Sequence, residues 1–191
     1  EGVSGLEILL QHPTSGAILR NTYEYYVLEL AETDIEEYIY KSNDDNNSDN
    51  KSVINKLVSF REMCKSVARI HRARMCHRDL KPSNFLIFKY GEIKLSDLGT
   101  ATILDGRKHL LDDYPFPVGD MGYWAPEEFC NIGICDDTAF LADIFSLGAI
   151  LFEMFTKTRL ANKLYTPDFI SNLIILKSHL LLAKSSERLR I

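Results

Sequence analysis

Between residues 53 and 74 the apolar positions Val53, Leu57, Phe60, Met63, Val67 and Ile70 recur at steps of three and four. That spacing puts them on one stripe of a helix and predicts a long, core-facing segment. Upstream, residues 23–30 concentrate aromatic and β-branched side chains over the length of a strand, and Glu32-Thr33-Asp34 leads into Ile35, Tyr38 and Ile39 at helical spacing. Strand, turn and helix are expected there. The runs 85–88 and 93–95 flank Lys89-Tyr90-Gly91-Glu92, a glycine-containing connection that predicts a small antiparallel ribbon. Residues 99–125 lack sustained periodicity and carry Pro115 and Pro117, which reads as a long loop; loops of that length in compact domains usually serve function. Helical texture resumes over 138–155 and 169–183. One break interrupts the pattern: residues 42–52 contain no apolar side chain, so a mobile polar insertion between two helices is expected.

With 191 residues, 46% hydrophobic and 26% charged, the chain has the balance of an ordinary folded domain and enough length for a substantial core. A formal net charge of −5 provides no global positive field for a phosphate backbone or an anionic membrane surface, so neither nucleic acid nor a membrane is expected as a partner. The most apolar stretch, 140–155, carries Asp143 and Glu153 and reads as too short to cross a bilayer. The four cysteines, Cys64, Cys76, Cys130 and Cys135, form no C-x-x-C pair, and no signal peptide or lipidation signal is legible. Reduced thiols and a cytoplasmic location are the expectation.

Chemistry concentrates directly after the long helix, in His77-Arg78-Asp79-Leu80-Lys81-Pro82-Ser83-Asn84. A carboxylate five residues from an amide, with a lysine between them, can address an attacking hydroxyl, a transferring phosphate and a metal in one phosphoryl-transfer site. Thirteen residues beyond Asn84, Ser96-Asp97-Leu98-Gly99 places a second carboxylate at the mouth of the ribbon. Mg²⁺ prefers hard oxygen ligands and usually takes one or two carboxylates plus substrate phosphates, which suits Asn84 and Asp97.

These segments resemble the eukaryotic-type protein kinases. Residues 77–84 match the catalytic-loop pattern, Asp97-Leu98-Gly99 matches the metal-binding motif with Leu for Phe, and Ala125-Pro126-Glu127 matches the motif closing the activation segment, all in family order. The resemblance implies an α+β, protein-kinase-like fold. A mainly helical C-terminal lobe would occupy 32–191, with a small β-ribbon at the active site, and 1–31 would be the hinge and a remnant of a truncated N-terminal β lobe. It also implies ATP and Mg²⁺, and a protein substrate with a Ser or Thr hydroxyl, because Lys81 stands two residues after Asp79. In the family's terms Asp79 would accept or orient the hydroxyl proton, Lys81 would neutralise the transferring phosphate, and Asn84 and Asp97 would hold the metal. Leu28-Glu29-Leu30-Ala31 resembles the hinge that bonds adenine, with Leu28 as gatekeeper, Asp34 reaching the ribose and Leu86 contacting the nucleotide.

Further roles implied by the resemblance are structural or regulatory. His77 and Gly99 belong to their motifs. Arg78 would attract a phosphorylated loop residue, with Thr100, Thr102 and Tyr114 as candidates, or the loop's own Asp112-Asp113 would supply the charge. Asp143 resembles the buried aspartate that anchors the catalytic loop, and Arg188 resembles the arginine that forms a buried ion pair with Glu127.

The sequence also departs from the family. No lysine precedes Lys41 and no G-x-G-x-x-G precedes the hinge. Roughly the first 70 to 80 residues of a small lobe, with the nucleotide-clamping lysine, are therefore expected outside this sequence. Glu7 lies closer to His12-Pro13 than the helix glutamate that partners that lysine usually does. Without its sheet partners the hinge strand would present an unpaired apolar edge. Leu98 is expected to pack beneath the helix that the family's Phe touches. Asp120 stands where serine/threonine kinases have a threonine bonded to Asp79 and Lys81, and is expected to crowd Asp79 with like charge or to draw Lys81 away from phosphate. Three functions compete: a serine/threonine protein kinase with an incomplete catalytic domain, a non-catalytic pseudokinase module, and a small-molecule phosphotransferase. Lys81-Pro82 and the closing motif argue against the last. The oligomeric state is not legible.

Overall fold

A computed structural model describes residues 4–11, 18–25, 28–41, 50–104, 118–129, 136–172 and 174–175. Contacts divide the chain into two units, Glu1–Leu30 and Ala31–Ile191. In the first, β1 (Ser4–Gln11) and β2 (Ile18–Tyr25) pair antiparallel, with Ser4 opposite Tyr25 and Gln11 opposite Ile18. The strand expected over 23–30 thus begins earlier and ends at Tyr25, and β1 pairs with it along its whole length. Glu7 lies in β1 opposite Thr22, so it is a strand residue and not a helix glutamate.

In the second unit, β3 (Thr33–Asp34) leads directly into α1 (Ile35–Lys41). Asp34 supplies the helix cap, its Oδ1 accepting from the Glu37 amide at 2.8 Å. Ile35 and Ile39, one turn apart, are buried. β3 also pairs with β5 (Phe85–Ile87), which pairs with β6 (Ile93–Leu95), so the expected ribbon is present and Asp34 sits opposite Leu86. Its connection turns through Tyr90 and Gly91 at φ 64° and 75°.

The long helix is α2 (Asn50–Arg72). Its first turn takes in Asn50, Lys51 and Ser52 from the expected polar insertion, whose residues 42–49 lie outside the described ones. Met63 and Val67 are buried as the stripe predicts, but the N-terminal half buries Ser52 and Lys56 while Leu57 is 48% exposed. The Lys56 ammonium lies 5.5 Å from the centre of the Phe155 ring, so its aliphatic stem takes the place an apolar residue would have filled.

β4 (Met75–Cys76) pairs antiparallel with β7 (Thr102–Ile103), which ties the approach to residues 77–84 to the start of the long loop. The described residues of that loop carry more regular structure than its sequence suggested. Besides β7 it contains 3-10 turns at Leu98–Thr100 and Met121–Tyr123, while 105–117 lie outside the described residues. It closes on α3 (Pro126–Phe129), followed by α4 (Asp136–Thr156), α5 (Ala161–Leu164) and a helical stretch over 167–172. Of the helix expected over 169–183, residues 176–183 lie outside the described ones.

α4 corrects one expectation. Over Ala139–Thr156 it is long and apolar enough to cross a membrane by length and composition. Yet Asp143 and Glu153 within it are 1% and 0% exposed and hydrogen-bonded inside the fold. Its Leu147, Ala149, Ile150 and Met154 join Ile35, Met63, Val67, Leu80, Phe85 and Tyr123 in one core, so α4 is the central helix of this unit. The catalytic-type segment 77–84 is laid across that core, with Leu80 and Pro82 buried.

Candidate active site

The loop after β4 makes one 3-10 turn, Pro82–Asn84, and is otherwise held by side chains from its surroundings. Asp143 Oδ1 accepts from the Arg78 amide at 2.9 Å, and Oδ2 accepts from the His77 amide at 2.9 Å and lies 2.7 Å from His71 Nε2. These bonds hold Arg78 at φ 68°, in the left-handed region that a non-glycine residue adopts only under local compulsion. His77 is fully buried, with Nε2 2.9 Å from the Ser96 carbonyl and Nδ1 accepting from the Asp79 amide at 3.3 Å. A ring carrying its proton on Nε2 serves both contacts, an assignment made from the bonding partners.

Asp79, Lys81 and Asn84 converge. Asp79 Oδ2 is 3.0 Å from Lys81 Nζ, and its backbone carbonyl accepts from Asn84 Nδ2 at 2.8 Å. The Asn84 carbonyl in turn accepts from Ser96 N and Oγ at 2.8 and 3.0 Å, fixing the start of the Asp97-Leu98-Gly99 turn to the loop. Asp97 sits at φ 58° with its carboxylate accepting from the Gly99 amide at 3.4 Å. Lys81 is held above the ordinary lysine range, chiefly by its hydrogen bond to Asp79; burial opposes the shift, and the charges of Asp79, Asp120 and Asp97 add to it.

Asp120 does not behave as its sequence position suggested. Its backbone amide donates to Asp79 Oδ1 at 2.8 Å, whereas its carboxylate accepts from the Gly122 amide at 2.8 Å and meets Arg159 Nη1 at 3.4 Å. The carboxylate caps its own turn, and Lys81 stays on Asp79. Gly119, which sequence reasoning passed over, makes this possible. At φ 86°, a Cβ there would come within 2.7 Å of both the Arg78 carbonyl and Asp79 Oδ1. The signal was a lone glycine preceding Asp120, unreadable without knowing what approaches it.

Other predicted residues divide. Leu28 is 82% exposed and, with Glu29, belongs to the first unit; Ala31, Asp34 and Leu86 belong to the second, where the amide of Glu32 donates to the Ile87 carbonyl at 2.8 Å. Leu98 is 51% exposed, not packed under a helix as expected. Arg78 Nη1 donates to Thr102 Oγ1 at 3.1 Å, and Thr100 Oγ1 donates to the His77 carbonyl at 3.0 Å. Tyr114, Asp112, Asp113 and Arg188 lie outside the described residues. In the closing motif Glu127 is half-buried, and it is Glu128 that is buried, accepting from the Ala125 amide at 2.9 Å. Burial is the main cause that pushes the Glu128 carboxyl up to about 7. His71, Tyr123, Glu153 and Arg159 also lie outside what sequence reasoning named as site residues. Tyr123 donates to Glu153 at 2.6 Å, and Tyr40 donates to the same carboxylate.

The protein kinase domain family matches residues 14–184. A protein of Dictyostelium discoideum named as a probable serine/threonine-protein kinase is 35% identical over 100 residues, covering 52% of this chain and 19% of that protein. CBL-interacting serine/threonine-protein kinase 15 of Arabidopsis thaliana is 37% identical over 97 residues, 50% of this chain and 22% of the relative. Serine/threonine-protein kinase PknD of Protochlamydia amoebophila is 34% identical over 112 residues, 51% of this chain and 11% of the relative. The chain therefore spans less than a quarter of the length of each of these relatives.

Two stability measurements test this geometry. Gly91 also has positive φ but open space around it, so Gly91→Ala should cost ~1–2 kcal/mol from backbone conformation alone. Gly119→Ala should cost about 1–3 kcal/mol more in urea denaturation, because the methyl must displace backbone and Asp79. Equal losses for the two variants would mean that the close approach is not as described. For Glu128 the folded value of about 7 lies above its ordinary 4.5, so its contribution to stability is full below about pH 4.5 and is lost as pH rises through 7. The melting temperature of Glu128→Gln minus that of the parent should rise from pH 5 to pH 8; a difference independent of pH would refute the assignment.

Proposed function

Because the chain belongs to the protein kinase family, we propose that it forms the catalytic loop and metal-binding part of a serine/threonine protein kinase, moving the γ-phosphoryl group of ATP to a protein hydroxyl. The observation that carries this reading is the pairing at Asp79: one carboxylate oxygen on the Asp120 amide, the other on Lys81. A carboxylate fixed at both oxygens has a defined direction in which to take a proton. Asp79 orients the substrate hydroxyl and receives its proton as the oxygen attacks phosphorus and the bond from phosphorus to the departing ADP oxygen breaks. Lys81, kept charged by Asp79, neutralises the phosphoryl oxygens. The lysine's position and the names of the relatives support serine/threonine over other hydroxyl acceptors.

The residues present fit Mg²⁺. Among the described residues no group of three or more His, Cys, Asp or Glu forms a cage, and Asn84 with Asp97 offers two hard oxygen donors, the incomplete set that a cation sharing its shell with water and phosphate needs. The amide nitrogen of Asn84 is committed to the Asp79 carbonyl, which assigns its side-chain oxygen to the acceptor role. Bound there, the ion would supply neutralisation of charge between the phosphates. Asp120, which with the missing lysine and Gly-rich loop favoured a non-catalytic module, is compatible with transfer once its carboxylate is accounted for by Gly122 and Arg159.

The test is phosphate incorporation from labelled ATP into serine- and threonine-containing peptides by the protein carrying this chain, with Mg²⁺ varied. Mg²⁺-dependent transfer is expected, reduced by roughly 10²–10⁴ in Asp79→Asn. Asp97→Asn should lose the Mg²⁺-dependent rise in melting temperature that ATP gives the parent. Nucleotide stabilisation without phosphopeptide would instead mark a pseudokinase.

A further inference from the structure

An aspartate next to a catalytic carboxylate and a phosphate-binding lysine is a hazard, and the fold answers it with a residue from a different element. Arg159 lies between α4 and α5. Its Nη1 is 3.4 Å from Asp120 Oδ2, its Nη2 is 3.8 Å from Glu36 Oε1, and its guanidinium carbon stands 5.3 Å from the centre of the Tyr123 ring. The other oxygen of Asp120 is taken by the Gly122 amide. Lys81, Asp120 and Arg159 line one polar cavity of about 170 Å³, so the Asp120 carboxylate borders open space shared with two cations. With Arg159 removed, Lys81 is the cation that remains beside Asp120 among the residues lining that cavity. The contact that the active loop requires from this residue, its amide on Asp79, is made by the backbone and survives either orientation.

We infer that Arg159 is a positioning residue: it holds the Asp120 carboxylate away from Lys81 and so leaves Lys81 on Asp79 for phosphoryl transfer. The inference rests on the kinase reading above. It makes Arg159 necessary only because residue 120 is acidic. Loss of the arginine should therefore be harmful in the presence of Asp120 and nearly harmless without its charge; contacting side chains couple in any role, so the readout that separates positioning from support is the reactivity of Lys81.

The experiment is a double-mutant cycle on the protein carrying this chain, with two readouts. The first is steady-state transfer to a serine/threonine peptide. Arg159→Ala should lower kcat about tenfold with KM for ATP changed less than about twofold, and adding Asp120→Asn to it should bring kcat back to within about threefold of the parent. The second is acylation of the Lys81 amine by an N-hydroxysuccinimide ester, followed by mass spectrometry. Acylation should slow in Arg159→Ala, where Asp120 is free to pair with the ammonium, and recover in the double variant. If Arg159→Ala does not fold, Arg159→Gln carries the same two readouts. Additive losses, or a Lys81 reactivity indifferent to Arg159, would overturn the inference. If the parent itself transfers no phosphate, the kinase reading fails, and the acylation arm still decides whether Arg159 holds Asp120 off Lys81.

Discussion

A carboxylate removed from water must be met by donors, and Asp143 is met by three: the amides of His77 and Arg78 and the imidazole of His71. Because two of these are consecutive backbone groups, the bonds fix a conformation and not merely a contact. They set the loop's path, and with it the left-handed backbone of Arg78. From there His77 passes the constraint on, to the Ser96 carbonyl on one side and the Asp79 amide on the other. Withdrawing Asp143 would leave buried donors without an acceptor, a loss on the order of 1–3 kcal/mol for each group. The apolar helix that carries it is thus a rigid mount for a polar site.

α4 carries a second buried acid ten residues further along, about 15 Å at the rise of a helix. Glu153 accepts from Tyr123 and Tyr40, two phenols in place of a cation. Burial, with help from Glu153, pushes the Tyr40 phenol up to about 12, so that proton stays in the contact through the neutral range. Tyr123 closes the 3-10 turn that begins after Asp120, the residue whose amide meets Asp79. Asp79 is therefore placed from two directions by one helix: through Asp143 and the loop before it, and through Glu153 and the turn beyond Gly119.

What the sequence makes legible is what depends on neighbours a few residues away. The ribbon, the long helix and the order of residues 77–84, 97–99 and 125–127 are all local patterns, and the structure holds each where its pattern puts it. The readings that changed depended on partners that the spacing of apolar residues does not reveal. Lys56 takes a core position because Phe155 offers its ring, and Leu57 consequently turns outward. Glu128 is the buried acid of the closing motif, reaching back to the amide of Ala125 just before α3. The polar run gave up its last residues to α2, where Ser52 is buried. His71 meets Asp143 across 72 positions, a distance over which no periodicity speaks.

Asp120 shows why residue type alone misled. Its type suggests that its charge crowds Asp79 or draws Lys81 away, but the structure puts its backbone amide on Asp79 and its carboxylate oxygens on Gly122 and Arg159. What the loop needs at 119 and 120 is a glycine that tolerates φ 86° with no room for a Cβ, followed by any residue with an amide. The side chain at 120 is then constrained by its own surroundings, and an acid is acceptable as long as a cation and a backbone donor claim both of its oxygens. The strictness of the site lies in the glycine, while the apparent departure at Asp120 is a local matter settled by Gly122 and Arg159.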